Sequence, residues 1–453
     1  MAQITTPRIL SGFIELTPGA QLRFDEMRRI AEEIYEEFGF VPLDTPVMEL
    51  SEILLAKGGG ETEKQIYRLN KGDNDLSLRF DLTVPLARYV AQHYGELSFP
   101  FKRYHIGKVY RGERPQRGRF REFYQSDIDV VGDGALDIMN DAEMPAIIYK
   151  IFTKWGITRF RIRINNRKLL GGFYEQLGLG ELSADIMRTA DKLEKIGPEK
   201  VKAILTDDLS IDGSKAVEIL AFMAHSGGSE DTLAFLETRR GASELYDTGL
   251  DELKQVIDGV RAFGVPEENF AVDLTISRGL DYYTGTVYET TLLDYPEVGS
   301  PCSGGRYDNL ASNYTEKQLP GVGISIGLSR LYWALCDMGL VDTESKRASA
   351  DVLVIPMTDD RTVAIAAAAA LHDAGVKAQV YFEQKKFKAR MNYANKLGVP
   401  FIVLIGEDEI AAGEVSLKDM RSGEQQRLKP EEAAKFVAEA IANKEDEKIV
   451  REK

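Results

Sequence analysis

The feature that most restricts the fold is a pair of long strand-like segments joined by a polar, basic loop. Residues 103–111 and residues 119–130 form the two segments, and residues 112–118 carry the loop. Two long strands joined in this way predict an antiparallel hairpin. Such a hairpin can hold a polyphosphate and present its loop to RNA; a charged edge hairpin with no ligand is the alternative.

The chemistry of this hairpin lies at one end and along one face. Arg111 ends the first strand, and its planar, permanently charged guanidinium can form paired hydrogen bonds with a phosphate. Gln125, Asp127 and Asp129 occupy alternate positions of the second strand. Because alternate side chains of a strand lie on the same side, these three polar groups share one face.

A second stretch, residues 277–289, combines an arginine, two tyrosines and a β-branched run. It predicts a turn that leads into a strand, with Gly285 near the bend. Arg278 can bind an anion, and Tyr282 and Tyr283 each offer an apolar face and one hydroxyl. The combination suits a small ligand with charged and planar parts; an ordinary hairpin with an exposed arginine is the alternative.

Composition limits the class of protein. The 453 residues predict about two to four domains. No apolar run approaches the ~20 residues of a membrane span, and the N-terminus lacks the pattern of a signal peptide. Two cysteines without a CxxC pair and four scattered histidines favour a reducing cytoplasm and argue against a structural zinc site. The net charge of −15 leaves RNA binding open, because a local basic face can bind phosphates on an acidic protein.

The N-terminal part predicts a helix and a strand ahead of the hairpin. Residues 21–38 have helical spacing, and Gly39 ends the predicted helix. Residues 76–85 alternate like a strand, which would place Asp81 and Thr83 on one strand face. A carboxylate and a hydroxyl there could hold an α-ammonium group, and a solvated strand end is the alternative.

The rest of the chain changes character twice. Residues 167–262 predict successive helices, and one of them covers residues 186–196. Residues 270–276 predict a buried strand before Arg278, and residues 321–327 predict a strand whose alternate glycines permit close approach of a ligand or backbone. Arg330 then opens a predicted helix.

Beyond the polar linker at residues 339–350, strands and helices alternate. The pattern from residue 351 to a turn at Glu407 predicts a small mixed sheet with flanking helices. Basic residues of this part supply a local positive surface, and a solvated helix face is the alternative reading: Lys385, Lys386, Lys388, Arg390 and Lys396.

Residues 278–283 and 302–310 resemble, in order and spacing, the two signatures of histidyl-tRNA synthetases. Residues 21–48, 103–130 and 321–330 resemble motifs 1, 2 and 3 of class II aminoacyl-tRNA synthetases. The resemblance implies an α+β fold with a class II antiparallel-sheet catalytic core, a helical insertion and a C-terminal α/β anticodon-binding domain. The implied limits are 1–166 for the first part of the core, 167–262 for the insertion, 263–338 for the rest of the core, 339–350 for the linker and 351–453 for the anticodon-binding domain.

The resemblance also implies roles for single residues. The implied catalytic residues are Arg111, Arg278 and Arg330. Those implied to bind histidine are Asp81, Thr83, Gln125, Asp129, Tyr282, Tyr283, Gly304 and Tyr307. Those implied to bind ATP are Arg111 on the α-phosphate, Glu113 and Phe123 on adenine, and Arg330 on the γ-phosphate. Arg114 and Gln116 would face the tRNA acceptor end. In this family an acidic residue commonly precedes the motif 3 arginine, and Ser329 replaces it here.

The implied activity is that of a cytoplasmic, homodimeric histidine–tRNA ligase. It would form histidyl-adenylate and pyrophosphate from histidine and ATP, and then transfer histidine to the 3′ end of tRNA(His). Mg²⁺ is expected on the phosphates, with no metal site built from protein side chains. A non-catalytic histidine-sensing subunit of ATP phosphoribosyltransferase is one alternative, and a class II enzyme for another amino acid is the other. Synthetase-like subunits of that kind typically lack the C-terminal domain and parts of the catalytic motifs, both of which this sequence carries.

Overall fold

The structure is a computed structural model, and it describes residues 4–56, 64–114, 118–277, 283–345, 347–442 and 449–450. Over these residues the chain divides into two units. The first joins the residues up to Ile14 with Arg28–Leu335, and the second joins Glu15–Met27 with the chain from Cys336 onward. Each unit contains its own sheet and core.

The strands of the described residues fall into three sheets. In chain order they are β1 (Val41–Pro42), β2 (Met48–Leu50), β3 (Arg68–Lys71), β4 (Asn74–Leu78), β5 (Phe101–Tyr110), β6 (Glu122–Val131), β7 (Phe160–Asn166), β8 (Phe270–Val272), β9 (Thr286–Leu292), β10 (Cys302–Tyr307), β11 (Gly321–Ile326), β12 (Val352–Pro356), β13 (Ala378–Val380), β14 (Phe401–Ile405), β15 (Val415–Asp419) and β16 (Gln425–Leu428).

Helices separate the strands. In chain order they are α1 (Pro18–Glu37), α2 (Ser51–Leu55), α3 (Thr83–Gln92), α4 (Met139–Trp155), α5 (Arg167–Gln176), α6 (Ser183–Ala190), α7 (Leu193–Ile196), α8 (Pro198–Ala203), α9 (Gly213–Met223), α10 (Ser229–Glu237), α11 (Glu244–Ala262), α12 (Leu328–Asp337), α13 (Thr362–Asp373), α14 (Phe387–Leu397), α15 (Glu407–Ala412) and α16 (Pro430–Ala442). One π-helical turn, Ile204–Asp208, follows α8. Searched over the described ranges, the helices include none with the length and apolarity to cross a membrane.

The large sheet of the first unit confirms the predicted fold class. Its strand order over the described residues is β1-β5-β6-β11-β10-β9-β7-β8. The inner pairs from β5 to β7 are antiparallel, whereas β1 and β8 add in parallel at the two edges. The predicted hairpin is β5–β6, and the glycine-rich β11 lies against β6 although it comes much later in the chain.

Local sequence signals explain where the main elements stop. Helix α1 ends at Glu37, and Gly39 takes a φ of +80°, which a residue with a side chain rarely adopts. The N–H of Gly39 then bonds to the Glu36 carbonyl at 2.9 Å and that of Phe40 to the Tyr35 carbonyl at 3.0 Å. This is the hydrogen-bond pattern of a glycine-terminated helix, and it confirms the predicted helix end.

Several predicted boundaries are wrong. The strand predicted at 270–276 ends at Val272, because the Asp273 carboxylate binds the N–H and hydroxyl of Thr275 and turns the chain. The single helix predicted over 186–196 is two helices, α6 and α7. The predicted turn at Glu407 is the start of helix α15.

Two helices of the helical segment, residues 167–262, pack against each other through glycines. An added Cβ at Gly172 of α5 would lie 2.2 Å from the Tyr246 backbone N, and one at Gly249 of α11 would lie 2.3 Å from the Leu169 backbone N. Helices α5 and α11 therefore approach more closely than side chains would permit. This contact joins the first and the last helix of the helical segment.

The second unit has a mixed sheet, as predicted, with the order β13-β12-β14-β15-β16. Alternate residues of β12 and β14 are buried on both faces of this sheet. Val352, Val354 and Val403 pack with α13 and α16, and Leu353 and Ile402 pack with Ala394 of α14 on the other face. Parallel strands covered on both faces read as continuous apolar runs, which is why the sequence located them.

Candidate active site

One cavity of about 560 Å³ opens over the large sheet of the first unit. Strands β6, β9, β10 and β11 contribute its floor, and the β5–β6 hairpin and α12 contribute one end. Most of the residues predicted to bind substrates line it: Asp81, Thr83, Arg111, Glu113, Phe123, Gln125, Asp129, Tyr283, Gly304, Tyr307 and Arg330. The fold therefore brings together side chains that are up to about 250 positions apart in the chain.

Four predicted residues are not among those that line the cavity. Arg278, Tyr282 and Gln116 lie outside the described residues, so their predicted roles stay predictions. Arg114 is described, and its side chain is exposed in the hairpin loop beyond the cavity wall.

The cationic end of the cavity is organised around Arg111. Its Nε donates a hydrogen bond to the Phe80 carbonyl at 3.0 Å, and its guanidinium lies 5.2 Å from the centre of the Phe123 ring. The carbonyl and the aromatic face together fix the plane of the guanidinium. An arginine held in this way is oriented for an anion before the anion binds.

The prediction that Arg330 opens a helix is wrong by two positions, because Arg330 is the third residue of α12. Its Nη2 donates to the Val298 carbonyl at 2.6 Å, which directs the side chain across the cavity end. The neighbouring Ser329 hydroxyl accepts a hydrogen bond from the Tyr124 backbone N–H at 2.9 Å. Ser329, which replaces the expected acidic residue, therefore ties α12 to strand β6.

At the other end, Asp129 is held by two partners. Its Oδ2 lies 2.5 Å from Nη2 of Arg103, a side chain with no exposed surface, and its Oδ1 accepts a hydrogen bond from the Tyr307 hydroxyl at 2.8 Å. Burial raises the pKa of Asp129, and Arg103 and Tyr307 partly offset that effect. No role for Arg103 could be predicted, because its partner lies across the hairpin.

The glycines of β11 leave room for these side chains. A Cβ on Gly323 would lie 2.2 Å from Oδ1 of Asp129, and a Cβ on Gly321 would lie 2.4 Å from the Tyr307 ring. Both distances are far below van der Waals contact. The predicted close approach at alternate glycines is therefore an approach of the protein's own polar side chains.

Asp81 and Thr83 reach the cavity by a route that the sequence did not predict. Strand β4 ends at Leu78 and α3 begins at Thr83, so the two residues do not share a strand face. Asp81 Oδ1 accepts a hydrogen bond from the Val84 N–H at 3.1 Å, which satisfies one of the unpaired donors of the first helical turn. Both side chains still line the cavity.

Asp127 confirms the predicted shared face of β6, since it lines the cavity with Gln125 and Asp129. The Ser325 hydroxyl hydrogen bonds to its carboxylate and also accepts from Gln125 Nε2 at 2.7 Å. Burial raises the pKa of Asp127 to about 7 and that of Asp81 to about 6. For Asp127 the nearby charges are Arg103, which lowers the pKa, and Asp129 and Asp81, which raise it.

This burial predicts a pH-dependent gain in stability for Asp127→Asn. An unfolded aspartate titrates near ~3.9, so between that pH and about 7 the folded state binds the extra proton. Stability from this group is present at low pH and is lost as the pH rises through the folded pKa. Asparagine cannot lose a proton, so the advantage of the variant should be about 2 kcal/mol larger at pH 8 than at pH 5.5. Chemical denaturation at both pH values measures it; parallel curves for the two proteins would contradict it.

Sequence reasoning missed further residues that line the cavity. Arg119 comes from the hairpin, Asp191 from the helical segment and Glu289 from β9. Glu289 lies 3.5 Å from Arg163, which also pairs with Asp273 at 2.7 Å. A charge in the middle of a strand was the available signal for Glu289, but its partner could not be read from the sequence.

The predicted basic surface of the second unit is present in part. Lys385, Lys386, Lys388 and Lys396 are exposed along and before α14. Arg390 instead donates hydrogen bonds to the carbonyls of Lys385 and Pro356, so it braces the segment before α14. The exposed lysines remain available to a phosphate backbone.

Comparisons with known proteins agree with this geometry. The family model described as "Histidyl-tRNA synthetase" matches residues 12–331, and the model described as "Anticodon binding domain" matches residues 351–440. The histidine–tRNA ligase of Clostridium tetani is 50% identical over 437 residues, which cover 96% of this chain and 99% of the relative. That of Xanthomonas campestris pv. campestris is 48% identical over 440 residues, 91% of this chain and 92% of the relative.

Solved structures give the same result. The crystal structure of histidyl-tRNA synthetase from Nostoc sp. has a TM-score of 0.88 and 40% sequence identity, and the match covers 97% of this chain and all of that one. A Bacillus halodurans protein titled as an ATP phosphoribosyltransferase regulatory subunit/histidyl-tRNA synthetase has a TM-score of 0.71 at 21% identity, which shows a shared fold alone.

The large antiparallel sheet, its long hairpin and the cavity over them define a class II aminoacyl-tRNA synthetase. Two further observations narrow that class to one family: the signature residues Gly304 and Tyr307 line the cavity, and the family model matches residues 12–331. The chain belongs to the histidyl-tRNA synthetase family.

Proposed function

We propose that this chain is a histidine–tRNA ligase that activates histidine with ATP and transfers it to tRNA(His). The observation that carries the proposal is the distribution of charged side chains in this cavity. Arg111 and Arg119 come from the hairpin and Arg330 from α12, whereas the buried carboxylates Asp127 and Asp129 come from β6 and Asp81 from the turn before α3. The arginines suit the phosphates of ATP, and the carboxylates suit a cationic, hydrogen-bonding amino acid.

Activation joins two anions, since the carboxylate of histidine attacks the α-phosphate of ATP. One carboxylate oxygen forms a bond to phosphorus, and the bond to the β-phosphate oxygen breaks, which releases pyrophosphate. Positive groups fixed before the reaction stabilise the charge that builds up on the phosphate oxygens. We assign Arg111 and Arg278 to the α-phosphate and Arg330 to the γ-phosphate. Mg²⁺ enters as part of the nucleotide substrate, bound to the phosphates.

Histidine selection uses polar groups that recognise its ring. We assign Asp129, Tyr283 and Tyr307 to the imidazole, with Asp129 held rigid by Arg103. A site that satisfies ring N–H groups rejects analogues lacking them by roughly 10⁴–10⁵. We assign Glu113 and Phe123 to adenine, and Thr83 and Gly304 to the backbone of histidine. The domain limits predicted from the sequence are also part of the proposal.

Transfer to tRNA assigns two further surfaces. Arg114 and Gln116 of the hairpin loop would contact the acceptor end, and the exposed lysines near α14 would contact the anticodon arm. Arg114→Ala should lower aminoacylation about tenfold or more, because a charged hydrogen bond is worth about 1.5–3 kcal/mol. Pyrophosphate exchange without tRNA serves as the internal reference and should change little. Equal losses in both assays would reassign the loop to ATP.

We also propose a homodimer in the cytoplasm. The segment that resembles motif 1 leads into β1, which forms an edge of the large sheet, and the nearby β2 and β3 display apolar side chains. Val41 is 48% exposed, Met48 46%, Leu50 43% and Leu69 41%. Leu50 and Leu69 both lie opposite Leu76 in the three-stranded sheet, and exposed apolar residues brought together in this way are typical of an association surface.

The dimer predicts the effect of charge at this surface. Val41→Asp combined with Met48→Asp should shift the protein from dimer to monomer in sedimentation velocity, because the carboxylates would be desolvated in the interface. Phe263→Asp is the matched control, since Phe263 is 47% exposed at the end of α11. A dimer that survives the double change would place the interface elsewhere.

The first test of function is histidine-dependent ATP–pyrophosphate exchange by the purified protein without tRNA. Exchange with histidine and with none of the other amino acids is the expected result. Histidine binding without exchange would favour the regulatory-subunit alternative and remove the catalytic roles of the arginines. Exchange with a different amino acid would make the chain a class II enzyme of other specificity.

A further inference from the structure

Asp127 is a buried carboxylate to which the proposed activation chemistry assigns no role. It is 2% exposed, lies in the middle of β6 and lines the cavity between the positions of Gln125 and Asp129. The Ser325 hydroxyl binds its carboxylate, but Oδ1 has no hydrogen-bond partner among the described residues. A buried acceptor left unpaired costs about 1–3 kcal/mol. A ligand that donates a hydrogen bond to Oδ1 would remove this cost.

Two other acceptors of the same cavity are in the same condition. Asp81 Oδ2 and Gln125 Oε1 are buried without a hydrogen-bond partner in the described parts of the chain. Asp81 is 3% exposed and Gln125 is 9% exposed. Gln125 Nε2 already donates to Ser325 at 2.7 Å, so Oε1 is the part of the amide that is left without a partner among the described residues. All three atoms accept hydrogen bonds. The two carboxylate oxygens could donate one only if they were protonated.

Asp129 differs from this group. Both of its oxygens have partners, in Arg103 and Tyr307. Asp129 is therefore a carboxylate whose partners are already in place, whereas the other three acceptor oxygens have none among the described residues. The first arrangement suits a neutral polar ring, and the second suits a cation with several donors.

We propose that Asp127 is a third ligand of the α-ammonium group of histidine, together with Asp81 and Gln125. The inference rests on the proposed function and adds a residue to its substrate site. An ammonium has three N–H donors and no acceptor, which matches three acceptor oxygens. Its positive charge also stabilises Asp127 and Asp81 in their ionised forms, which burial opposes.

Anchoring the ammonium in this way serves the reaction. The α-carbon of histidine carries the ammonium, the carboxylate and the side chain. With the ammonium on Asp127 and the ring on Asp129, two of the three directions are fixed. The carboxylate then has one direction left, toward the arginines that bind the α-phosphate.

The test compares two ligands that share the imidazole ring. Histidinol carries the ammonium and lacks the carboxylate, whereas imidazole propionate carries the carboxylate and lacks the ammonium. Titration calorimetry gives the dissociation constant of each for the wild type, for Asp127→Asn and for Asp133→Asn. Asp133 follows β6 in sequence and is exposed, so Asp133→Asn removes the same charge outside the cavity.

Asp127→Asn should weaken histidinol about 10- to 100-fold and leave imidazole propionate within about twofold of the wild type, as expected for one charged hydrogen bond. Asp133→Asn should alter neither. Equal weakening of both ligands would overturn the inference, because Asp127 would then act on the ring or on the fold. Unchanged histidinol affinity would overturn it as well.

Two controls separate the possible failures. If Asp127→Asn unfolds at a lower temperature than the wild type, Asp127→Ser is used with the same pair of ligands and the same criteria. The wild type is first tested for histidine-dependent pyrophosphate exchange. Failure of that exchange contradicts the proposed function, whereas exchange in the wild type with unaltered histidinol binding in the variants contradicts only the role of Asp127.

Discussion

Replacing Arg111 by alanine should reduce histidine-dependent ATP–pyrophosphate exchange by about a hundredfold to a thousandfold while the protein stays folded. Loss of one fixed donor aimed at developing charge has an effect of this size in other enzymes. Arg111 meets the condition of being fixed, because the Phe80 carbonyl binds its Nε and the Phe123 ring lies against its guanidinium. The loss should appear in kcat more than in the KM for ATP, since the charge is largest in the transition state.

Two further variants define the cause. Arg111→Lys keeps the charge but loses the planar fork, so it should recover only part of the rate. Lys108→Ala removes a cation from the opposite face of the same hairpin, where Lys108 pairs with Glu122 at 2.8 Å, and should have little effect. If Arg111→Ala and Lys108→Ala behaved alike, the requirement would be for net charge and not for an oriented guanidinium.

Replacing Arg103 by methionine should destabilise the protein by about 3–5 kcal/mol and abolish measurable histidine binding. Removing one partner of a buried ion pair leaves the other charge without compensation. Arg103 has no exposed surface and lies 2.5 Å from Asp129, and Asp81 and Asp127 are further buried acids of the same cavity. Denaturant unfolding gives the change in free energy, and calorimetry gives the loss of binding.

A second substitution separates the effect on folding from the effect on the site. Arg103→Met combined with Asp129→Asn removes both charges, so stability should largely return while histidine binding stays lost. Arg68→Met, which breaks an exposed pair with Asp75, should leave the free energy of unfolding almost unchanged. A stable Arg103→Met protein that binds histidine normally would show that Asp129 needs no cation.

Much of the fold could be predicted because its signals are local. The β5–β6 hairpin declares itself by two long strand patterns around a basic loop. Gly39 predicts the end of helix α1, and the apolar runs predict the strands of the second unit. Each of these signals needs only a few neighbouring residues.

The errors arose where a local pattern fits two structures. Arg79, Asp81 and Thr83 alternate with apolar residues as a strand would, but this spacing also fits a short turn that enters a helix. The Asp81 hydrogen bond to the Val84 N–H decides for the helix, and it depends on geometry that alternation does not contain.

The candidate site divides in the same manner. Arg111, Asp129 and Tyr307 stand in recognisable motifs, so sequence located them. Arg103, Ser325 and Glu289 act through partners on other strands, and a strand pairing cannot be read from either strand alone. Arg278 lies outside the described residues, and its assignment still depends on the motif.

The order of the strands along the chain also determines when each strand can pair with its neighbour during synthesis. Strand β6 is complete at Val131, but its second neighbour, β11, starts only at Gly321. Ribosomes add about 5–20 residues per second, so one edge of β6 waits on the order of ten seconds or longer for its partner. During that interval the strand that carries Gln125, Asp127 and Asp129 has an unpaired backbone edge, and its buried acids face solvent. Their charge then protects the nascent sheet from pairing with the wrong strand.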